Sequence, residues 1–289
     1  MHERAIGPVQ VSAIGLGAMP LSIDPAPDDA RADATVHAAL DAGVSLIDTA
    51  DAYTVEGGGF AHGHNEAIVA RALRSYSGDT SQVLVATKGG HVRSGSGDWT
   101  LNGRPEHLRT ACESSLRTLG VEAIGLYQHH RPDPEVPYEE TMGALKELHE
   151  SGLVQHVGIS NADPDQIRTA YEVIGAGLVS VQNQLSPAFR SSLPELEVCD
   201  ELGLAFLPWS PLGGAGGRAG RLGTEHKAFA DIAEVHGVSP QQVCLAWLLG
   251  LSSRLVPIPG ASRPQTIRDS AAAADLELSD DERKALDEG

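Results

Sequence analysis

The chain has 289 residues, 41% of them apolar and 21% charged, with a net charge of −18. That length is too great for one small core and suits a single large α/β barrel or two medium domains. The acidic balance argues against non-specific binding to nucleic acid or to an anionic membrane, but leaves room for a local basic pocket that takes an anionic small ligand.

The opening residues, "MHERAIGPVQ", lack the apolar region of a signal peptide. No apolar run approaches the ~18–20 residues of a membrane span. A cytoplasmic protein is expected, with neither nucleic acid nor membrane among its partners. "RAIGPVQV" reads as a small hairpin around Gly7–Pro8. Eight short β-branched or apolar runs follow, at 13–19, 44–48, 82–88, 123–130, 154–160, 178–184, 204–210 and 255–260.

Helical patterns lie between these runs. Residues 104–119 put Leu108, Ala111, Cys112, Ser115, Leu116 and Leu119 on one stripe. Asp163–Pro164 with Gln166, and Ser239–Pro240 with Gln242, each offer an N-cap, a proline at the first helical position and a capping-box partner. Cys112, Cys199 and Cys244 each sit in a helix-like segment and form no CxxC, so reduced core or near-core thiols are expected.

Eight βα repeats with short connections predict an α/β fold, a (β/α)8 TIM barrel preceded by the short N-terminal β-hairpin, one domain over 1–289. An open dinucleotide-binding sheet would need a glycine fingerprint after the first strand. "GLGAMP" supplies Gly15 and Gly17, but Pro20 stands where the third glycine belongs, and no helix is expected to follow.

Chemistry in such a barrel gathers at the carboxyl ends of the strands. Those ends read Asp48, Lys88, His129–His130, Ser160–Asn161, Gln182, Trp209–Ser210 and Gly260–Arg263. Neighbouring side chains in a strand face opposite ways, so only one of the adjacent histidines can serve a site on a given face. His130 shares parity with Leu126 and Gln128, and His129 with Tyr127. Neither that pair nor "HGH" at 62–64 has a third ligand at metal-binding spacing, so no metal is expected.

In order along the chain, "DTADAY" (48–53), "TKGG" (87–90), "YQHHRPDP" (127–134), "VGISN" (157–161), "VQNQ" (181–184), "WSPLGG" (209–214) and "PIPGASRP" (257–264) resemble the aldo-keto reductase superfamily. The resemblance covers nearly the whole chain and implies a catalytic tetrad of Asp48, Tyr53, Lys88 and His130. Tyr53 would protonate a carbonyl oxygen as hydride reaches its carbon, Lys88 would lower the phenol's pKa, and Asp48 would keep Lys88 charged. His130 would orient the carbonyl, and His129 would pack behind the barrel.

The resemblance also implies a nicotinamide dinucleotide across the barrel mouth. Ser160, Asn161 and Gln182 would bind its carboxamide, and Trp209 would stack on the ring. The glycine-rich stretch "SPLGGAGGRAGRLG" (210–223), read as a loop, would approach the pyrophosphate through Ser210, Leu212 and Gly213. Gly260, Ser262, Arg263 and Arg268 would hold the adenosine end. The two guanidiniums there favour NADP(H), with NAD(H) as the alternative.

Trp99, Phe60 and Met19, with Phe189 beside them, would contact a small carbonyl substrate. A simple aldehyde or ketone, pyridoxal and a sugar-like carbonyl all suit a member without a long C-terminal lid. Two other readings remain at this stage. One is an NAD-linked sugar or alcohol dehydrogenase with Tyr53 as base. The other is a cofactor-sensing interaction subunit of low turnover, like the potassium-channel β subunits that the fold also serves. The oligomeric state is not legible in the sequence.

Overall fold

The computed structural model describes residues 1–23, 28–54, 62–93, 98–214 and 218–288. Strands β1 (Glu3–Ile6) and β2 (Val9–Ser12) form the expected hairpin, with Gly7 in its turn at a φ of 56°. A seven-stranded parallel sheet follows, made of β3 (Leu16–Gly17), β4 (Leu46–Asp48), β5 (Leu84–Gly89), β8 (Ile124–His129), β9 (Val154–Ser160), β10 (Leu178–Gln182) and β11 (Ala205–Phe206). Between β5 and β8 the chain makes a separate hairpin of β6 (His91–Arg93) and β7 (Trp99–Leu101).

The eighth predicted strand, at 255–260, closes the barrel without forming a full ladder. It bridges β11 through Phe206 and Leu255, and β3 through Gly17 and Gly260. The reason is chemical. Val256 and Ile258 donate their N–H groups toward the β11 side, to the carbonyls of Phe206 and Pro208. Pro257 and Pro259 have no N–H to give to β3, so only their carbonyls act there, accepting from the amides of Gly15 and Gly17 at 2.9 and 3.0 Å.

Helices flank the sheet: α1 (Pro20–Ile23), α2 (Asp29–Asp41), α3 (His64–Ser75), α4 (Pro105–Leu119), α5 (Tyr138–Glu150) and α6 (Pro164–Ile174) in the first part of the chain. The rest are α7 (Leu193–Leu202), α8 (Arg218–Glu225), α9 (Lys227–His236), α10 (Pro240–Leu251), α11 (Pro264–Ala272) and α12 (Asp280–Glu288). Helix α4 buries Leu108, Ala111, Cys112, Ser115 and Leu119 of the stripe read from the sequence, while Leu116 is half-buried. All three cysteines are buried and free.

Three local expectations change. A single turn, α1, does follow Pro20, starting on the proline that supplies a helical φ without needing a donor. Residues 218–225 are helical, where a glycine-rich loop was read to 223. The capping box at Asp163 and Gln166 is complete. At Ser239, by contrast, Gln242 turns its amide to Asp269 at 2.6 Å, so the cap is one-sided.

The barrel interior holds Leu46, Leu84, Ala86, Leu126, Leu207 and Ile258, and the hairpin adds Ile6 and Val11 to the same cluster. A second set of contacts, including Tyr127, Cys112 and Val157, packs strands against helices. Leu126 inward and Tyr127 outward is the period-two alternation of a strand buried on both faces. Among the described residues, no helix is long and apolar enough to cross a membrane.

Candidate active site

Consecutive strand ends bring three polar residues together. Lys88, at the end of β5, is fully buried and donates three hydrogen bonds. They go to Asp48 Oδ2 at 2.7 Å, the Thr49 carbonyl at 2.8 Å and the Tyr53 hydroxyl at 3.1 Å. An ammonium has three donors, and all are used. Asp48 ends β4, so register pairing of β4 with β5 sets the carboxylate beside the lysine.

The other Asp48 oxygen accepts from Gln182 Nε2 at 2.8 Å and Gln128 Nε2 at 3.2 Å. Gln128 reaches across the barrel because Gly158 faces it. A Cβ at 158 would lie 2.8 Å from Gln128 Cγ and 2.6 Å from Ser180 Oγ. Burial works to lower the Lys88 pKa, but Asp48 and Tyr53 overcome it and the net shift is upward. Lys88 is therefore a fixed cation.

Burial also dominates at Tyr53 and pushes its phenol above the ordinary value, with Lys88 pulling the other way and Asp48 opposing Lys88. The acidification expected from the lysine is present but is outweighed by desolvation. Tyr53 thus holds its proton throughout the neutral range.

The two adjacent histidines separate as strand parity requires. His130 lines the cavity, with its ring 5.6 Å from that of Tyr53 in an edge-on arrangement. Burial and then Lys88 hold its pKa well below the usual histidine value, so the ring is neutral. Its Nδ1 is buried without a protein partner among the described residues. His129 points away, toward Gly90 and Tyr138, and is fully buried with both nitrogens unpartnered among those residues.

Burial lowers the His129 pKa from 6.5 to about 4, against a smaller opposing pull from Asp133. The unfolded chain binds a proton at this site below pH 6.5 that the folded chain refuses until about pH 4. Stability therefore falls as pH drops through that window, by up to roughly 3 kcal/mol from this residue. We expect His129→Leu to flatten the fall. Urea midpoints measured across that window check it, and equal slopes in both proteins would contradict it.

His91 is a site residue that sequence reasoning missed. Its ring lies 4.8 Å from His130 and 4.4 Å from the indole of Trp99. Burial and then Arg131 lower its pKa to about 4. The reason it escaped notice is that β6 starts only two residues after β5 ends, turning through Gly90 at a φ of 96°. No periodicity marks such a turn.

These groups open onto a cavity of about 620 Å³. Of the residues expected at a cofactor, Ser160, Asn161, Gln182, Trp209, Ser210 and Leu212 are on its wall, with Gly260 and Ser262 farther along. Ser160 donates to the Gln182 carbonyl at 2.6 Å, and Asn161 Nδ2 donates to the His130 carbonyl at 3.0 Å. Asn161 and Ser210, at φ of 57° and 51°, are the two non-glycine residues in the left-handed region among those described. Both are on this wall, and strain of this kind collects at functional sites. The indole nitrogen of Trp209 is buried there without a partner among the described residues.

Gly213 lines a smaller neighbouring cavity of about 250 Å³ instead. Arg263 and Arg268 are exposed and off the main wall, Arg263 directly before α11 and Arg268 within it. Trp99 and Met19 line the cavity and Phe189 does not, while Phe60 lies outside the described residues. Among the described residues, no group of three or more potential metal ligands forms.

A buried Asp–Lys–Tyr chain at strand ends, opening on a cavity with histidine and amide walls, can be matched to known proteins. The chain is 34% identical over 287 residues to an uncharacterized oxidoreductase of Schizosaccharomyces pombe, covering 98% of this chain and 88% of that one. It is 32% identical to a probable aldo-keto reductase of Glycine max, over 96% and 85%. A crystal structure of an aldo/keto reductase from Klebsiella pneumoniae, in complex with NADP and acetate, superposes with a TM-score of 0.82. Identity there is 26%, over 99% of this chain and 94% of that one. The model of the Aldo/keto reductase family matches residues 13–289. By sequence, fold and the order of its strand-end residues, this chain belongs to the aldo/keto reductase family.

Proposed function

We propose that the protein reduces a small aldehyde or ketone to the alcohol with NADP(H), Tyr53 acting as general acid. The observation that carries this reading is the 3.1 Å hydrogen bond between Lys88 Nζ and the Tyr53 hydroxyl at a cavity wall. When bound, the dinucleotide supplies the hydride. Tyr53 donates its proton to the carbonyl oxygen, and the phenolate left behind is stabilised by Lys88, which Asp48 keeps charged. Neutral His130 offers the same oxygen an N–H donor.

Ser160, Asn161 and Gln182 suit a carboxamide, since a hydroxyl and two amides can each donate or accept. The flat face and unpartnered nitrogen of Trp209 suit a ring beside them. Ser262, Arg263 and Arg268 are assigned to the 2′-phosphate; neither guanidinium has an ion pair among the described residues, so both are available. The Klebsiella relatives solved with NADP and with NADPH support this choice of cofactor.

Quenching of tryptophan fluorescence gives the cofactor affinities directly, because Trp209 lines the cavity. NADPH is expected to bind at least about tenfold more tightly than NADH, the worth of one or two charge-assisted hydrogen bonds. Equal affinities would remove the 2′-phosphate assignment. Consumption of NADPH with a panel of small aldehydes tests the reaction itself.

A further inference from the structure

Among the described residues, one charge on the cavity wall is unmatched. Asp48 is the single carboxylate among the described lining residues, and Lys88 neutralises it at 2.7 Å. Arg131 also lines the cavity, immediately after His130, and makes no ion pair or hydrogen bond among the described residues. Its position is fixed from behind. The His130 amide donates to the Gly89 carbonyl at 2.9 Å, and the His130 carbonyl accepts from Asn161.

His91 and Trp99 share this end of the cavity, since the His91 ring touches that of His130 on one hand and that of Trp99 on the other. They supply a neutral imidazole and an apolar face. On a chain of net charge −18, a guanidinium left open in a reaction cavity locally reverses the field that an anion would meet.

We propose that the substrate is a carbonyl compound bearing a carboxylate, anchored by the Arg131 guanidinium while its carbonyl lies at Tyr53 and His130. This inference rests on the reductase reading above and adds the substrate class. A guanidinium presents paired N–H donors that match a carboxylate's two oxygens. The charge of Arg131 is among the causes that depress both His91 and His130, so its field reaches the rings on either side of the anchor point. The apolar stem between carboxylate and carbonyl would lie against Trp99.

The test compares succinic semialdehyde with butanal, two four-carbon aldehydes that differ in a terminal carboxylate. The wild-type protein should show a higher kcat/KM on the semialdehyde. In Arg131→Gln the ratio of the two kcat/KM values should fall by about thirtyfold or more, mostly through KM, the size expected for one charge-assisted pair. Arg131→Lys should recover part of the ratio, and added salt should raise KM for the semialdehyde more than for butanal.

Arg131 is exposed, so the variants should fold, which circular dichroism verifies. A ratio unchanged by Arg131→Gln overturns the inference and leaves the reductase reading standing. So does a loss of NADPH affinity that accounts for the whole effect, since it assigns Arg131 to the cofactor. If the wild type turns over neither aldehyde nor any other carbonyl, the reductase reading falls and this inference falls with it.

Discussion

Tyr53→Phe is expected to lower kcat for carbonyl reduction by about a hundredfold to ten-thousandfold, the span of a lost general acid. NADPH binding should stay within about twofold, because the substitution removes one oxygen and leaves the ring against His130. The fold should survive as well. Lys88 loses one of three acceptors but keeps Asp48 at 2.7 Å and the Thr49 carbonyl at 2.8 Å. A variant that retains a tenth of the wild-type kcat would show that another group delivers the proton.

The direction of the Tyr53 shift shapes the pH dependence that accompanies this. Burial raises the phenol's pKa, so at neutral pH the hydroxyl keeps its proton. Nearby His130 and His91 titrate far below neutrality, so neither gains a charge between pH 6 and 8 that would repel a cationic ring or attract an anion. The reverse reaction needs a phenolate, which the same burial opposes.

Much of this site was legible in the sequence because strand geometry is simple. A period of two set His129 and His130 on opposite faces, and the resemblance to the family, with the imidazole directly before Arg131–Pro132, chose His130 as the inward one. The same rule puts Gln128 inside, where it bonds Asp48. Helix caps at Asp163 and Ser239 were readable because one side chain and one proline decide them.

The unread parts depend on contacts far apart in sequence or on turns without a period. His91 gains its role from a tight reversal at Gly90. Arg131 stands out by having no partner among the described residues, which no local pattern reveals. The helix at 218–225 was hidden by its glycines, whose low helical propensity is overridden by burying Leu222 and by the Arg221–Glu225 pair. The closing strand kept its place in the barrel but lost half its ladder to Pro257 and Pro259.

The largest stability effect is expected from Asp48→Asn. Lys88 is wholly buried, and removing the negative partner of such a cation costs about 3–5 kcal/mol. The amide is also wrong for its surroundings. Whichever way it turns, its NH2 meets a donor, either Lys88 Nζ or the amides of Gln182 and Gln128.

The sign of the pH response separates this from simple misfolding. In the wild type the Lys88 pKa lies above 10.5, so its contribution is complete below that pH and is lost as pH rises through the higher folded value. In Asp48→Asn, burial acts with little opposition and the folded pKa drops below the unfolded one. The unfolded chain then binds the extra proton, so the variant should gain stability on the wild type as pH climbs from about 7 toward 10.

Urea midpoints at the two ends of that range measure the difference, and groups common to both proteins cancel. Asp48→Leu combined with Lys88→Met removes both charges and should regain most of the lost stability while staying inactive. If the double variant is as unstable as Asp48→Asn, the cost lies in shape and hydrogen bonding around residue 48. The buried ion pair would then not be what holds the tyrosine's neighbour in place.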